Sequence, residues 1–454
     1  MNNDVIFREY DIRGVFDVDY DLDFAKELGK AYVAFAKEKL SKDVLNITIG
    51  RDARLSSPEI VKALTAGMLE SGANVIQLGL VTTPISYFTT FHMPQVDGSI
   101  MVTGSHNPPE YNGFKISVGQ TTIMGVEIQA LRAVINKQAY VSGKGKESEY
   151  DIFPEYIERY KKEFGDLTGI KVSADCGNGV AGCVLRKMYE ALGVDVNILF
   201  EEPDGTFPNH HPDPTVEKNM TDLKKDVATN ASDIGIGFDG DADRLGVITN
   251  TGRFLLGDEI MTIIIGDILK EHPGATLVAD VKCSDRLYDY IDKNGGKSIM
   301  WNTGHSLVKK KVKEEKAPFG GELSCHLFFA DRNYGYDDSL YAGLRLIEIL
   351  KKTGKTVEEL LSDYPNAYST PEIRLVTTEE KKFLIVEKMK EYYLQAETKK
   401  INTIDGIRAS FADGWALVRA SNTQPVLSMR FEASSEKALE RIQSEAMAVV
   451  NLYV

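Results

Sequence analysis

Short apolar runs that close on an aspartate recur at three places in the chain: VLNITIGRD ending at Asp52, IKVSAD at Asp175 and ATLVAD at Asp280. Behind each comes a helix-like segment, then glycine, then a second strand-like run, in SGANVIQLGL, LGVDVNILF and NGGKSIMWN. A third run follows and opens into a polar loop: GSIMVTGSHNP, SDIGIGFDGDADR and APFGGELSCH. Strands alternating with helical segments predict α/β units on a mainly parallel sheet. Any α/β chain shows some repetition of this kind, but here the third run of each copy carries the least ordinary loop of its segment. Such sheets bind ligands beyond the carboxyl ends of their strands, so the three loops are expected to face one cleft. The C-terminal stretch breaks the pattern: IRASFA and WALVRA predict short strands, VLSMRFEA another after a polar loop, and SEKALERIQSEAMAVV a helix. The predicted fold class is α/β, with three similar α/β domains of mixed, mainly parallel sheets and a smaller C-terminal α+β domain around a central cleft. Domain limits are expected at 1–150, 151–253, 254–365 and 366–454.

Composition fits several packed cores: of 454 residues, 43% are hydrophobic and 26% charged, too apolar and varied for a disordered chain. The formal net charge of −14 disfavours nucleic acid and anionic membrane as partners, and an anion could be bound only in a locally basic pocket. The four cysteines, Cys176, Cys183, Cys283 and Cys325, are too scattered for a disulfide framework and fit a reducing compartment. The most apolar stretch, Ile260 to Leu269, is short and interrupted by Gly266 and Asp267, and the first residues lack a basic-then-apolar leader pattern. A cytoplasmic protein is expected.

Chemistry concentrates in the loops. Asp239-Gly-Asp241-Ala-Asp243-Arg244 places three carboxylates at alternate positions, a donor set for a hard cation such as Mg²⁺. It is not an EF-hand, since Arg244 stands sixth where Gly is required and Asn250 twelfth where Glu is required. A solvated acidic turn is the alternative, but like charges this close repel unless something compensates them. Thr103-Gly104-Ser105-His106-Asn107-Pro108-Pro109 reads either as a plain polar turn or as a serine poised to carry a phosphoryl group. It is no nucleophile elbow, because Asn107 replaces the second Gly. Gly320-Gly321-Glu322-Leu323-Ser324-Cys325-His326 offers a carboxylate, a hydroxyl and an imidazole, suited to sugar hydroxyls or to capping a helix. Arg419-Ala-Ser421-Asn422-Thr423 has the inventory of a phosphate clamp, or of a turn before a strand. A rival from another class is Gly177-Asn-Gly179-Val-Ala-Gly182, which matches a dinucleotide fingerprint and would make the chain an NAD(P)-dependent oxidoreductase.

Together with FREYDIRG at residues 7–14, the segments TGSHNPPEYNGFKI at 103–116, DGDADR at 239–244, GELSCH at 321–326 and RASNTQP at 419–425 resemble the α-D-phosphohexomutase family, in its phosphomannomutase/phosphoglucomutase branch. The resemblance implies phosphosugar substrates, four domains around a cleft, and interconversion of hexose 1-phosphate and 6-phosphate, of mannose and of glucose, with hexose 1,6-bisphosphate as intermediate and activator. It implies that Ser105 is the phosphoserine, that Ser105, Asp239, Asp241 and Asp243 hold Mg²⁺, and that Arg244 lies beside them. Glu322 and Ser324 would hold sugar hydroxyls, and Arg419, Ser421, Asn422 and Thr423 the phosphate that is not reacting. Tyr10, Arg13, Lys115, Lys282, Thr303, Gly304, His305 and His326 would line the cleft, with Arg13, Lys115 or His326 handling protons. The sugar loop departs from the family pattern at Leu323 and at Cys325, where a side chain replaces Gly and needs room. Phosphoglucosamine mutase is the alternative within the family, with differently written sugar and phosphate loops.

Overall fold

Three of the four sheets share one strand order, the order that the repeated apolar runs foreshadow. The computed structural model describes residues 6–396, 398, 400–422 and 424–454. In the first unit, strand Asn46–Arg51 lies between Asn74–Leu80 and Gly98–Val102, parallel to both, and Tyr111–Val118 runs antiparallel beside Gly98–Val102. The second unit sets Lys171–Asp175 between Asp195–Leu199 and Ile234–Phe238, with Leu245–Thr249 antiparallel. The third sets Thr276–Asp280 between Lys297–Trp301 and Phe319–Gly321, with Leu327–Phe329 antiparallel. Parallel neighbours need a crossover, and helices Ser57–Glu70, Leu185–Ala191 and Asp285–Lys293 supply it between the first two strands of each unit. The loop joining third and fourth strands therefore leaves the same corner of each unit. Those loops carry Ser105, the Asp239–Asp243 group and Glu322 to His326.

The repeated aspartates have a structural use. Asp52 Oδ2 accepts the Gly104 N–H at 3.0 Å, and Asp280 Oδ1 accepts the Leu323 N–H at 3.0 Å. In the first and third units the aspartate ending the first strand thus ties down the functional loop. Asp175 differs: it accepts the Gly177 N–H at 2.8 Å and faces His210 Nε2 at 3.1 Å.

One continuous apolar core joins the three units, running from Leu78 and Phe88 through Tyr160, Met188 and Ile236 to Ile264 and Leu344. The most apolar stretch of the sequence lies in buried helix Gly257–Glu271. Among the described residues no helix is long and apolar enough to cross a membrane.

The C-terminal domain has the predicted strands, as Ile407–Ser410, Gly414–Ala420 and Val426–Ala433 in an antiparallel sheet, and the predicted helix, Glu436–Val450. It also has helix Glu379–Gln395, which the sequence pattern did not announce, because its first turn reads EEKK and one of its buried positions is Lys382. These elements close a separate core around Ile385, Met389, Phe431 and Ile442. Two buried arginines seat the domain on the third unit. Arg408 donates to the carbonyls of Val281 and Cys283, and Arg430 donates to Lys282 O at 2.6 Å and Asp258 Oδ2 at 2.8 Å. The Arg408 guanidinium stacks 3.7 Å from the centre of the Trp415 ring.

Candidate active site

Ser105 follows strand Gly98–Val102 and takes a left-handed backbone, φ +49°. Its N–H donates to Thr103 Oγ1 at 2.8 Å, and the side chain turns so that Oγ donates to Asp239 Oδ2 at 2.9 Å. His106 Nδ1 lies 3.2 Å from the same oxygen. A serine of the first unit is thereby set against the acidic loop of the second.

The carboxylates of Asp239, Asp241 and Asp243 are fully buried and can each offer an oxygen within 4.8 Å of the others. Asp239 Oδ1 accepts the N–H groups of Asp243 and Arg244 at 3.0 and 3.1 Å, which winds the loop around that residue. Asp241 Oδ2 accepts Thr83 Oγ1 at 2.6 Å and Lys115 Nζ at 2.9 Å, and Asp243 Oδ2 accepts Lys115 Nζ as well. Burial and the neighbouring carboxylates push the Asp239 carboxyl well above its ordinary range. Burial acts the same way on Asp241, but Lys115 and Thr83 overcome it and hold that group low. Asp241 Oδ1 and Asp243 Oδ1 are buried and accept no hydrogen bond among the described residues. Buried carboxylate oxygens of this kind call for a cation, and an all-oxygen set suits a hard one. The acidic group is therefore a fitting metal site.

Lys115 reaches this group from strand Tyr111–Val118, and Arg13 stands on the adjoining strand Ile12–Val15, its guanidinium 2.5 Å from Asp11 Oδ2. Arg244 Nε donates to His326 Nε2 at 2.9 Å, so the neutral imidazole carries its proton on Nδ1, which lies 3.0 Å from Asp337 Oδ2. His305 stacks on His326 with ring centres 5.4 Å apart, and burial holds the His305 imidazole well below its usual range.

In the same loop as His326, Glu322 Oε1 accepts the Gly304 N–H at 2.6 Å, and burial pushes its carboxyl up. Thr303 Oγ1 donates to Asp280 Oδ2 at 2.9 Å, and Lys282 Nζ donates to Glu372 Oε2 at 3.1 Å. Cys325 occupies its left-handed position, φ +62°, with Sγ 3.6 Å from Leu323 O, and the thiol joins the shared core, so the loop does find room for the side chain. At the mouth, Arg419 Nε donates to Asp405 Oδ2 at 2.9 Å, and the same oxygen accepts the Thr303 N–H at 3.0 Å. Tyr10 Oη donates to Thr303 O at 2.7 Å and accepts Asn422 Nδ2 at 2.6 Å, linking the first, third and C-terminal domains.

The cleft has a volume of about 380 Å³. Tyr10, Arg13, Ser105, Lys115, Arg244, Lys282, Thr303, Gly304, His305, Glu322, Ser324, His326, Arg419, Ser421 and Asn422 all line it, and the three aspartates lie beneath Ser105 and Lys115. Thr423 lies outside the described residues. Seven Lys and Arg side chains line the cleft against four Asp and Glu, a basic pocket in an acidic chain. Sequence reasoning missed Thr83, Asp337, Asp405 and Glu372, which hold the charged groups just described. Only Thr83 had a usable signal, the Thr82-Thr83-Pro84 start of helix Thr83–His92.

The Gly177–Gly182 run serves packing. The Val180 N–H donates to Gly240 O at 3.1 Å, so it is committed to the acidic loop and not to a pyrophosphate. A Cβ on Gly179 would meet Gly240 O at 2.9 Å, and one on Gly182 would meet Glu201 O at 1.7 Å.

Comparison with known proteins identifies the family and the fold. Models of phosphoglucomutase/phosphomannomutase alpha/beta/alpha domains I, II and III match residues 4–141, 154–252 and 256–368, and that of the C-terminal domain matches 372–449. A phosphomannomutase/phosphoglucomutase of Pseudomonas aeruginosa is 44% identical over 439 residues, covering 97% of this chain and 94% of its own. The crystal structure of a phosphoglucomutase/phosphomannomutase family protein from Burkholderia thailandensis superposes with a TM-score of 0.89 at 40% identity, covering 99% of this chain and 97% of that one. An Aspergillus fumigatus N-acetylphosphoglucosamine mutase, solved with GlcNAc-6P and magnesium, covers 95% of this chain and 98% of its own with a TM-score of 0.60 at 15% identity, a likeness of fold alone.

Proposed function

This chain belongs to the phosphoglucomutase/phosphomannomutase family, and from that premise we propose how its cleft interconverts hexose 1-phosphates and hexose 6-phosphates. The observation that carries the reading is Ser105 Oγ lying 2.9 Å from Asp239 Oδ2, over three buried carboxylates and at the head of a cation-lined cleft. As a phosphoserine, Ser105 passes its phosphoryl group to the free hydroxyl of a hexose 1-phosphate: the Ser105 O–P bond breaks, a sugar O–P bond forms and the hydroxyl proton leaves. The hexose 1,6-bisphosphate turns end for end, and its other phosphoryl group returns to Ser105, leaving the 6-phosphate. Free hexose 1,6-bisphosphate would recharge an enzyme that has lost its phosphoryl group, which makes it an activator.

Asp239, Asp241 and Asp243 would hold Mg²⁺, together with an oxygen of the phosphorylated Ser105. Bound there, Mg²⁺ supplies positive charge beside the transferring group. Arg244 and Lys115 add their own charge, and phosphoryl transfer depends mostly on such positioning and neutralisation. Arg13, Lys115 or His326 would handle the hydroxyl proton. Glu322 and Ser324 accept and donate to vicinal sugar hydroxyls, while Arg419, Ser421, Asn422 and Thr423 grip the distal phosphate. Tyr10, Lys282, Thr303, Gly304 and His305 complete the walls. A clamp that reads hydroxyls 3 and 4 and a phosphate leaves carbon 2 unread, so mannose and glucose phosphates are both substrates. Four free thiols suit a cytoplasmic setting.

Replacing Ser105 by Ala tests the reading. Turnover of mannose 1-phosphate and glucose 1-phosphate, with a trace of hexose bisphosphate present, should vanish while the melting temperature stays; full activity of Ser105→Ala would refute it.

A further inference from the structure

Arg54 stands two residues beyond Asp52, with a side chain that is fully buried behind the Ser105 loop. A guanidinium has five N–H donors in a planar fork, and each of them finds an acceptor here. Nε donates to Asp52 Oδ2 at 3.0 Å. Nη2 donates to Ser105 O at 2.8 Å and to Asn107 O at 2.6 Å. Nη1 donates to Tyr111 O at 2.9 Å and to Pro108 O. Four carbonyls between Ser105 and the start of strand Tyr111–Val118, including that of Ser105 itself, thus converge on one side chain. The fit extends to the neighbours: a Cβ on Gly104 would sit 2.4 Å from Arg54 Cζ, so only glycine lets the guanidinium pass. On its far side the guanidinium rests 5.3 Å from the centre of the Phe207 ring.

Asp52 closes the arrangement. Its Oδ2 accepts both Arg54 Nε and the Gly104 N–H, and its Oδ1 accepts the Arg54 N–H at 3.0 Å and Ser57 Oγ at 2.7 Å. The residue before Ser105 is held through its N–H and Ser105 through its carbonyl, by the two halves of one buried ion pair. Ser105 itself keeps a left-handed backbone that a non-glycine residue leaves readily unless surrounding bonds fix it. The acidic loop packs on the same carbonyl, since a Cβ on Gly240 would lie 2.6 Å from Ser105 O.

We infer that Arg54 is a positioning residue for phosphoryl transfer: through Asp52 and four loop carbonyls it fixes the Ser105 backbone, and with it the distance from Oγ to the acidic loop. Arg54 does not itself line the cleft; it acts through Ser105, Asn107 and Tyr111, which do. A lysine there could serve at most three of the five acceptors. The inference rests on Ser105 being the phosphoryl carrier, and the tests of the two are separable. If Ser105→Ala is active, that reading fails; if Ser105→Ala is dead while Arg54→Lys is normal, only this inference fails.

The measurement is steady-state kinetics per folded molecule for Arg54→Lys. A misplacement of about 1 Å at the reacting atom costs on the order of 100-fold. The expected result is a kcat lowered by about that factor, with KM for hexose 1-phosphate within about threefold, because the sugar and phosphate loops belong to other domains. A kcat within about threefold of the parent, or an activity that falls only in step with the folded fraction, would overturn the inference. Should Arg54→Lys not fold, Asp52→Asn keeps the shape of the pair and is expected to lower kcat with KM unchanged; an unchanged kcat there overturns it equally. In the unaltered protein, hydrogen exchange should protect the amides of Gly104, Ser105, Asn107 and Tyr111 as well as the flanking strands, and free exchange of those four would also overturn it.

Discussion

Lys382 shows how far from the chemistry a binding loop is held. It sits in the first turn of helix Glu379–Gln395, 3% exposed, and its ammonium donates to Ser421 O at 2.7 Å and Gln424 O at 3.2 Å, the two sides of the loop proposed to grip phosphate. Glu379 Oε2, more than half exposed, lies 2.6 Å from it and adds little. Replacing Lys382 by Met keeps the aliphatic stem in the core and deletes the two bonds. A hydrogen bond from a charged donor contributes about 1.5–3 kcal/mol, so counting the shorter of these two alone sets a lower bound of about 2 kcal/mol. If the loop loosens, the substrate must order it on binding, and 2 kcal/mol corresponds to a rise in KM of about 30-fold. kcat should stay within about threefold, because Ser105 and the acidic loop lie in other domains. The assay is initial-rate kinetics across a wide range of glucose 1-phosphate, alongside a thermal melt. A KM within twofold and an unmoved melting temperature would refute the argument that the ammonium shapes the loop.

Two further outcomes follow from buried titrating groups. Burial works against ionising Glu372, but Lys282, Ser428 and Arg374 outweigh it and bring its carboxyl down from 4.5 to about 2. A depressed carboxyl contributes stability that is full above pH 4.5 and lost as pH falls toward 2. Glu372→Gln should therefore be less stable than the parent at pH 6, with the gap in melting temperature closing between pH 4.5 and 2; a gap that widens on acidification would contradict this. Burial pushes the Cys325 thiol up to about 12. The folded protein should leave Cys325 unmodified by iodoacetamide at pH 8, read by peptide mass, and rapid labelling there would show that the sugar loop opens.

The sequence made the architecture legible where its periodicity was local. The runs ending at Asp52, Asp175 and Asp280 announced equivalent strands, and the loops after the third strands announced the cleft. What stayed hidden was side-chain traffic between distant elements. Arg54, within RDARLSS, looks like any charged residue after a strand, and nothing local reveals that its donors meet main-chain carbonyls fifty or so residues away. Lys382 was masked for the opposite reason: a lysine in a charged first turn reads as solvated, and only the fold turns it inward. Thr83 serves Asp241 of another unit and Asp337 serves His326 from beyond the next strand, and pairings of this kind leave no trace in periodicity.

The division of the interior has a mechanical consequence. One apolar cluster runs through the first three units, although the first unit also packs a second cluster of its own around Leu28, Ile47 and Ile100, so Ser105, the acidic loop and Glu322 stand on units joined through a shared core. The C-terminal domain keeps its own core and meets those units through Arg408, Arg430, Trp415 and the Tyr10–Asn422 contact. Opening the cleft to release a sugar phosphate thus requires neither of these cores to be breached. The seam between them is the small apolar cluster of Val281, Trp415 and Leu417 with the buried Arg408 and Arg430 bonds, and a motion that pivots there parts only the Tyr10–Asn422 and Thr303–Asp405 contacts across the cleft.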